Sequence, residues 1–410
     1  MTTALTRNLS RTSRTSNTGH RLTGRPLPGT PWFPGMKGLL ISAALLALIG
    51  CSNPKKIEPD KLSTIESAKQ VDVLWSANLG DGSERSVVQF APYVSDSSVF
   101  GVNAEGKVYA FDRTSGAKIW EIDLNTELTA GISGDDRYLY AGSGNGDVYS
   151  INQADGTLAW STKVSSEVVS APSAGADYVV VRSIDGRVYA LEKSSGKRRW
   201  LYTYSVPALS LHGNGRALVV PDGVLVGLDN GRLVALRAFD GRVFWESRLA
   251  GSSGRSEVDK LSDLDADPVV FGEAIYAVNY QGAAARIEPS SGQTQWTTRL
   301  SSSSGLSVNT RMVVVTDEAD TVWALDINDG SVLWKQEDLS YRRLTAPVIT
   351  DDGSVVVGDF RGYLHVLSGE DGRMTGRLKA GSGQITGRPV LRDGTIYTLG
   401  RSGRLSAIRL

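Results

Sequence analysis

The side chains that most often catalyse reactions or bind metals are scarce in this chain. Histidine occurs at His20, His212 and His365, and the single cysteine is Cys51. Zinc sites of the Cys₂His₂ or His₃ type need more of these residues than remain once the N-terminal leader is set aside. No G-x-S-x-G segment stands between a predicted strand and a predicted helix, where a hydrolase nucleophile would lie. The sequence therefore predicts no catalytic residue, no metal and no other cofactor, and we expect a protein that is not an enzyme.

The glycine-rich segment 142–146 has the composition of a phosphate-binding loop. Such a loop follows a strand and opens a helix, whose N-terminus points at the phosphate. Here the glycines precede a predicted strand and fall on a turn that recurs along the chain. We therefore interpret the segment as a structural turn.

Charge also argues against a nucleic-acid partner. The chain has 44 basic and 44 acidic residues, but residues 1–50 contain six basic side chains and no acidic one. The rest of the chain is therefore acidic by six charges. A nucleic-acid-binding domain would need a basic surface instead.

The sole cysteine follows a short apolar segment that is typical of an export signal. A basic start at Lys37 is followed by a run of apolar and small residues over 38–50. The run is shorter than the roughly 20 residues of a transmembrane helix and matches a secretory signal peptide. With Leu-Ile-Gly directly before Cys51, it resembles the bacterial lipoprotein box, which implies that Cys51 is lipidated and becomes the new N-terminus. The alternatives are a cleaved signal with an incidental cysteine, or a buried apolar segment.

These signals predict four regions. Residues 1–35 are a mis-assigned start or a long first part of the signal, 36–50 are the lipoprotein signal peptide, 51–70 are the lipidated cysteine and a flexible tether, and 71–410 are the folded domain. Ser52 stands where an aspartate would retain a lipoprotein at the inner membrane. We therefore expect an anchor in the outer membrane, on its periplasmic face.

From Trp75 to the end, the chain repeats a pattern of glycine turn, strand, second glycine turn and tryptophan. The third copy has its turns at Gly186 and Gly196 and its tryptophan at Trp200. From Trp120 onward the steps between copies are 40, 40, 45, 51, 38 and 42 residues, the last ending at Gly376, where a tryptophan is expected. Periods of this size with a recurring tryptophan are typical of β-propellers.

Each repeat is interpreted as four short strands. Residues 188–193 (Val-Tyr-Ala-Leu-Glu-Lys) alternate in character, which predicts a strand with two unlike faces. In five of the copies a proline follows the preceding tryptophan or its equivalent by a similar distance. We expect them to open the innermost strands, where a missing N–H is tolerated, at positions 92, 172, 268, 347 and 389.

The two ends of the repeat region supply an eighth copy. Residues 403–408 match its first half, and the missing tryptophan strand is available as residues 71–75. Seven complete copies and this divided one predict an all-β fold, an eight-bladed β-propeller of four-stranded blades whose last blade pairs strands from both ends. Such closure removes the open sheet edges at which proteins aggregate.

The tryptophans recur at one position of each blade, which favours packing between blades over the binding of a ligand. Each indole should bury about 150–250 Å². The predicted blade-docking residues are Trp75, Trp120, Trp160, Trp200, Trp245, Trp296 and Trp334.

The repeat resembles the pyrroloquinoline-quinone (PQQ) type of propeller repeat, in which tryptophans dock neighbouring blades. This resemblance raises one alternative function, a PQQ-dependent quinoprotein dehydrogenase-like enzyme. Those enzymes are much longer. Many of them also have adjacent cysteines that form a disulfide beside the cofactor, which a chain with one cysteine cannot form.

Two irregular segments indicate a more specific family. The longest step between tryptophans contains residues 261–265 (Leu-Ser-Asp-Leu-Asp), and the preceding copy contains residues 207–211 (Pro-Ala-Leu-Ser-Leu). Together with the lipoprotein box and eight repeats, they resemble the outer-membrane assembly lipoproteins of the BamB family over residues 36–410.

The resemblance implies a partner-binding site at Leu209, Leu211, His212, Asp263 and Asp265. His212 replaces the family's arginine, and Arg216 is a nearby basic residue that could substitute for it. We expect the leucines to form the apolar centre of an interface. The aspartates would either pair with basic partner groups or orient their loop through backbone hydrogen bonds. The alternative is that the leucines are core residues and the aspartates cap turns.

The resemblance also implies the function. Members of the family are non-enzymatic periplasmic scaffolds of the β-barrel assembly machine. They bind a periplasmic domain of the BamA subunit, contact other subunits, and assist insertion of β-barrel proteins into the outer membrane. We expect a monomer outside the complex and no nucleic-acid partner. Two alternatives stay open: a propeller that holds unfolded outer-membrane clients by β-strand addition, and a purely structural envelope lipoprotein.

Overall fold

The structure of the protein is a computed structural model that describes residues 58–65, 69–80, 89–207, 215–249 and 263–410. Over these residues it contains 32 β-strands, named β1 to β32 in chain order, and no helix. None of the described residues therefore belongs to a helix long and apolar enough to cross a membrane. The predicted regions 1–35 and 36–50 and the predicted lipidation site Cys51 lie outside the described residues.

The strands form eight antiparallel sheets of four strands, the blades, which confirms the predicted eight-bladed propeller. Blades 1 to 7 each use four consecutive strands, and blade 8 combines the last three strands with β1. From the inside outward, the strands of blades 1 to 4 are β2 (Tyr93–Val94), β3 (Ser98–Val102), β4 (Lys107–Asp112), β5 (Lys118–Asp123); β6 (Ser133–Gly134), β7 (Tyr138–Gly142), β8 (Asp147–Asn152), β9 (Leu158–Lys163); β10 (Ser173–Ala174), β11 (Tyr178–Ser183), β12 (Arg187–Glu192), β13 (Arg198–Thr203); β14 (Leu218–Val220), β15 (Gly223–Gly227), β16 (Arg232–Arg237) and β17 (Val243–Arg248).

Blades 5 to 8 follow the same order. Their strands are β18 (Val269–Phe271), β19 (Ala274–Val278), β20 (Ala283–Ile287), β21 (Thr294–Arg299); β22 (Leu306–Val308), β23 (Met312–Thr316), β24 (Val322–Asp326), β25 (Val332–Gln336); β26 (Val348–Ile349), β27 (Val355–Gly358), β28 (Tyr363–Leu367), β29 (Met374–Lys379); β30 (Val390–Arg392), β31 (Thr395–Leu399), β32 (Arg404–Arg409) and β1 (Asp72–Asn78).

The five prolines stand where the sequence predicts them. Each directly precedes an innermost strand: β2, β10, β18, β26 or β30. At this position the missing N–H removes no hydrogen bond from the sheet, while the fixed φ angle favours an extended start. The prediction that they open the innermost strands is confirmed.

The middle strands of the blades are buried on both faces, so the prediction of two unlike faces for residues 188–193 is wrong. Within β12, residues 188–191 are at most 5% exposed. The faces are alike because a neighbouring blade covers each of them. Alternation is seen in the outermost strands, such as β13, where Trp200 is buried and both of its neighbours are exposed.

Strands from both ends of the folded region close the ring, as predicted. β1 pairs antiparallel with β32, so that Trp75 lies opposite Ala407 and Ala77 lies opposite Leu405. β32 pairs in turn with β31. Blade 8 thereby reaches four strands, and the outer edge of β32 is covered.

All seven tryptophans of the repeat lie between one blade and the next. Each indole Nε1 donates to a backbone carbonyl of the following blade over 2.7–3.1 Å. Since a buried N–H without an acceptor is costly, this bond fixes the position of each ring. In order from Trp75 to Trp334, the acceptors are Arg113, Gln153, Lys193, Ala238, Pro289, Ile327 and Gly369.

A glycine of the following blade lies against each of these indole rings. Gly241 has a φ angle of 70°, and a Cβ on it would lie 2.6 Å from Cε3 of Trp200. Any side chain would therefore collide with the ring and would also strain the backbone. The second glycine of each repeat thus leaves room for the tryptophan ring of the preceding repeat.

The missing tryptophan at Gly376 has a topological reason. Blade 7 faces blade 8, whose outer strands β32 and β1 come from opposite ends of the chain and share no turn. A tryptophan in blade 7 would therefore have no glycine turn on which to dock. Val71 lies there instead, since a Cβ on Gly376 would be 3.3 Å from its Cγ2.

The links between blades define one face of the ring. Because the strands within a blade are antiparallel, every link from an outermost strand to the next innermost strand emerges on the same side, here named the connection face. Three of these links are residues 204–217 between blades 3 and 4, 249–268 between blades 4 and 5, and 337–347 between blades 6 and 7. The turns between the first and second strands of each blade lie on the opposite face.

Candidate partner-binding site

The predicted partner-binding residues belong to two neighbouring links of the connection face. Leu209, Leu211 and His212 belong to the link between blades 3 and 4 and lie outside the described residues. Asp263 and Asp265 belong to the link between blades 4 and 5, and the structure describes both.

The structure brings the described parts of these two links together. A Cβ on Gly215 would lie 2.8 Å from the carbonyl oxygen of Asp265. The Arg216 N–H donates to Oδ1 of Asp267 over 2.6 Å, and Nε of Arg216 lies 3.6 Å from Oδ2. The segment with the predicted leucines therefore rejoins the described chain beside the predicted aspartates. Arg216, the basic residue near His212, is engaged by Asp267.

Asp263 is fully buried, which favours orientation of the link over direct contact with a partner. Its carbonyl accepts from the Tyr280 N–H over 2.9 Å, and the Leu264 N–H donates to the carbonyl of Leu228 over 3.2 Å. Leu264 is 1% exposed, and a Cβ on Gly227 would lie 2.3 Å from its Cδ2. The lack of a side chain at Gly227 thus lets the link pack closely against blade 4.

Asp265 lies in surroundings that disfavour its negative charge. Burial raises the pKa of Asp265 to about 7, with smaller contributions from the carboxylates of Asp263 and Asp229 and an opposing one from Arg182. At neutral pH this carboxyl is therefore about half protonated. Buried acids with such raised pKa values are enriched at functional sites.

Beneath the two links lies a buried polar cluster that was not expected from the sequence. Arg182 of β11 is 3% exposed, and its guanidinium donates to the carbonyl of Gly215 and, over 3.2 Å, to the Tyr204 hydroxyl. Tyr204 donates to Asp229 over 3.2 Å, and the guanidinium lies 3.6 Å from the same carboxylate. The cluster holds the first described residue after the leucine segment in place.

Arg182 itself was the signal in the sequence for this cluster. An arginine at an otherwise small or apolar position indicates a local role, because burying a guanidinium costs several kcal/mol unless it is paired. The strand registers show which residues take its position in the other seven blades: Val102, Gly142, Gly227, Val278, Thr316, Gly358 and Leu399.

Of the two predicted aspartates, Asp265 lies at the central channel, a cavity of about 560 Å³ lined by residues of all eight blades and their preceding links. Asp265, Asp267 and Arg216 line one side, and Arg388 of the link into blade 8 lines another. Among the described residues, no group of three or more His, Cys, Asp or Glu side chains is arranged to hold a metal ion. The mixture of carboxylates and guanidinium groups suits contacts with polar or charged groups.

Replacing Asp265 with asparagine is expected to stabilise the protein at alkaline pH. Because the folded state raises this pKa from 3.8 to about 7, ionisation between these values destabilises the fold relative to the unfolded chain. The variant should gain up to about 4 kcal/mol in free energy of unfolding at pH 8 and lose this advantage near pH 4. Urea denaturation at both pH values measures the effect, with the exposed Asp371→Asn as control. An advantage that does not grow with pH would contradict a buried charge at this site.

Comparison with known proteins shows which family the chain resembles. The family model described as "Outer membrane protein assembly factor BamB" matches residues 104–336. A curated protein of that name from Alkalilimnicola ehrlichii is 45% identical over 374 residues, which cover 91% of this chain and 97% of that protein.

Solved structures agree on the fold. The crystal structure of BamB from Moraxella catarrhalis superposes with a TM-score of 0.77 at 24% identity and covers 83% of this chain and 100% of that one. A quinohemoprotein alcohol dehydrogenase from Comamonas testosteroni gives a TM-score of 0.66 at 14% identity, over 82% of this chain and 76% of that one. At this identity the second likeness extends to the fold alone. The chain belongs to the outer membrane protein assembly factor BamB family.

Proposed function

We propose that this protein is a non-enzymatic scaffold lipoprotein of the outer-membrane β-barrel assembly machine. In this proposal, lipid on Cys51 holds it at the periplasmic face of the outer membrane. It binds the periplasmic domain of the BamA subunit, contacts other subunits, and assists insertion of β-barrel proteins. The name of the relative from Alkalilimnicola ehrlichii supports the assembly role, and the lipoprotein box before Cys51 supports the anchor.

One observation carries the proposed binding site. Two predicted segments, 55 residues apart at Leu209 and Leu264, belong to links that meet on one face, with Gly215 against the backbone of Asp265. A core role for the leucines and a turn-capping role for the aspartates would not require the two links to touch. Their contact supports one continuous docking surface.

The residues of this surface have different roles in the proposal. Leu209 and Leu211 are proposed as the apolar anchors, and His212 is proposed as a polar contact. Asp263 is too deeply buried to touch a partner, so it orients the link from below. Asp265, which lines the channel, is partly exposed and is proposed to offer its carboxyl group to the partner.

The scaffold function is favoured over that of a quinoprotein dehydrogenase. The likeness to a quinohemoprotein alcohol dehydrogenase is one of fold, at 14% identity, whereas relatives at up to 45% identity are named assembly factors. The single cysteine also cannot form the adjacent-cysteine disulfide found in many such enzymes.

Leu211→Glu is expected to weaken co-purification with BamA by at least about tenfold. A carboxylate at the centre of an apolar contact must be desolvated without a partner, which costs roughly 2 kcal/mol or more. The measurement is affinity purification of the full-length protein from detergent-solubilised membranes, with BamA quantified by mass spectrometry.

Leu201→Glu provides the matched control. Leu201 is a 39% exposed leucine on the outermost strand of blade 3, the strand that precedes the link containing Leu211. Its replacement introduces the same charge without touching the proposed surface, so BamA recovery should equal that of the wild type. Equal recovery with Leu211→Glu would remove the leucine segment from the proposal.

A further inference from the structure

The described residues that precede β1 follow the outer wall of blade 7, although the sequence predicts a flexible tether over 51–70. The Asp60 N–H donates to the carbonyl of Ser340 over 3.1 Å. Leu62 packs against the apolar core shared by blades 6 and 7. The Lys69 N–H donates to the carbonyl of Thr375 over 2.7 Å. We name residues 58–65 and 69–71 the strap.

Two arginines of blade 7 and its preceding link hold the backbone of the strap. Nη1 of Arg342 donates to the carbonyl of Asp60 over 2.9 Å. Nη1 of Arg377 donates to the carbonyl of Ser63 over 3.0 Å. Because both acceptors are main-chain carbonyls, these contacts depend on the path of the strap and not on its side chains.

The same arginines belong to a buried network. Arg342 donates through Nε to Asp359 over 2.9 Å and is 3% exposed, while Asp359 and His365 are fully buried. Burial lowers the pKa of His365, which favours the neutral ring, although Asp359 opposes this shift. Arg377 donates to Nδ1 of that ring over 3.3 Å, which leaves Nε2 to donate to Asp359 over 3.1 Å. Each charged or polar group thus fixes the next, and the chain of bonds ends on the strap.

This network has no counterpart at the equivalent place in blades 1 to 3. The strand registers align His365 with Tyr109, Tyr149 and Tyr189 in those blades. Those blades carry an aromatic ring where blade 7 carries a hydrogen-bonding imidazole, and blade 7 is the blade along which the strap runs. The coincidence of the two features indicates a site built for the strap.

At its other end the strap is held on the opposite face. Lys69 pairs with Asp352 and donates to Ser354 over 3.0 Å, both in the first turn of blade 7. Although burial alone would raise it, hydrogen bonds from Lys69 and Thr350 hold the pKa of Asp352 below its usual range. The strap therefore crosses the wall of blade 7 from the connection face, at Asp60, to the opposite face, at Lys69.

We infer that the outer wall of blade 7 is a binding site for the protein's own N-terminal segment, which makes the chain leave the propeller on the connection face. The links between blades 3 and 4 and between blades 4 and 5, to which the proposed binding residues belong, lie on that same face. The consequence for orientation rests on the proposed lipid at Cys51. Asp60 follows Cys51 by nine positions, so in the proposed function at most about 30 Å of chain separates the lipid from the point where the strap meets the connection face.

A cysteine cross-link tests the strap. In the oxidising periplasm, Asp60→Cys combined with Ser340→Cys should form a disulfide in most molecules of the full-length protein. The backbone hydrogen bond between these residues brings their Cα atoms near the required 4.4–6.8 Å or so. The readout is mobility on non-reducing gels, with each single-cysteine variant run alongside.

The control for this cross-link is the double variant Asp60→Cys with Ser290→Cys. Ser290 is exposed in blade 5, in the turn before its outermost strand and on the opposite face. A free tether would sample both partners, whereas a docked strap should favour the cysteine at position 340 over that at position 290 by roughly tenfold or more in cross-linked fraction. Similar yields for the two pairs would overturn the inference.

A second variant shows whether the observed contacts hold the strap. Leu62→Asp should reduce the 60–340 cross-link several-fold, since it places a charge in the apolar core beside blade 7, while the neighbouring exposed Lys61→Asp should not. An unchanged yield with Leu62→Asp would contradict docking through this wall. These yields are independent of BamA recovery and of lipidation, so failure of the strap and failure of the proposed function give different results.

Discussion

Trp200→Ala is expected to lower the free energy of unfolding by about 3–5 kcal/mol. The ring is 6% exposed, donates its N–H to Ala238 over 2.8 Å, and packs on Gly241. Removing it leaves a cavity in the apolar core between blades 3 and 4 and leaves the carbonyl of Ala238 without its donor. The surrounding strands cannot collapse into the space, because sheets on both sides fix them. Guanidinium chloride denaturation measures the loss.

Phe239→Ala provides the control for this prediction. Phe239 is also a large aromatic residue in the same pair of blades, but it is 85% exposed in the turn that receives Trp200. Its removal should change the free energy of unfolding by less than about 0.5 kcal/mol. Equal effects of the two substitutions would show that docking by the tryptophan does not hold the blades together.

Asp359→Asn is expected to cost about 3–5 kcal/mol, a second large effect, because it removes one partner from a buried ionic network. Arg342 and His365 would lose their shared acceptor while remaining almost completely buried. The asparagine still accepts from the Tyr363 N–H, so the turn itself is kept. Hydrogen bonds from His365, Tyr363 and Arg342 hold the pKa of Asp359 below its usual value, although burial opposes them. The deficit should therefore persist at pH 7 and shrink below about pH 4, as the wild-type carboxylate is protonated.

Asp317→Asn isolates the role of the charge. Asp317 holds the equivalent turn position in blade 6 and accepts from the Thr321 N–H over 2.8 Å, as Asp359 does from Tyr363. Its other carboxylate oxygen accepts from the indole of Trp323. Thermal and urea denaturation should show a loss of about 1 kcal/mol or less for this variant. A comparable loss at positions 317 and 359 would mean that turn capping, and not the buried network, accounts for the effect.

The residues tested by these two predictions make the propeller rigid, and the proposed function depends on that rigidity. The tryptophans fix each blade against the next, and the network around Asp359 fixes the strap against blade 7. A docking surface formed by two links from different blades stays continuous only if the blades do not shift relative to each other. In the proposed function, the ring is therefore the part that holds the links, and the links are the part that binds.

The recurring glycines and tryptophans were sufficient to predict the eight blades and the closure by residues 71–75 and 403–408. This prediction was possible because each repeat uses the same local contacts, so that the glycines and tryptophans recur at similar intervals in the sequence. The family resemblance supplied Leu209, Leu211, His212, Asp263 and Asp265 as site residues. Whether the leucines contact a partner stays a prediction, since they lie outside the described residues.

The blade count, the innermost strands opened by proline and the divided eighth blade could be predicted from the sequence, because they follow from periodic, local patterns. The packing of the blades was needed to show that Gly241 makes room for Trp200 of the preceding blade, that Asp263 is buried, and that Arg182 donates to the carbonyl of Gly215. The tertiary structure also placed the strap on blade 7, where the sequence predicts a flexible tether. Each of these depends on contacts between residues that are distant in the chain. These contacts depend on how the blades pack, and no regular spacing of residues in the sequence predicts them.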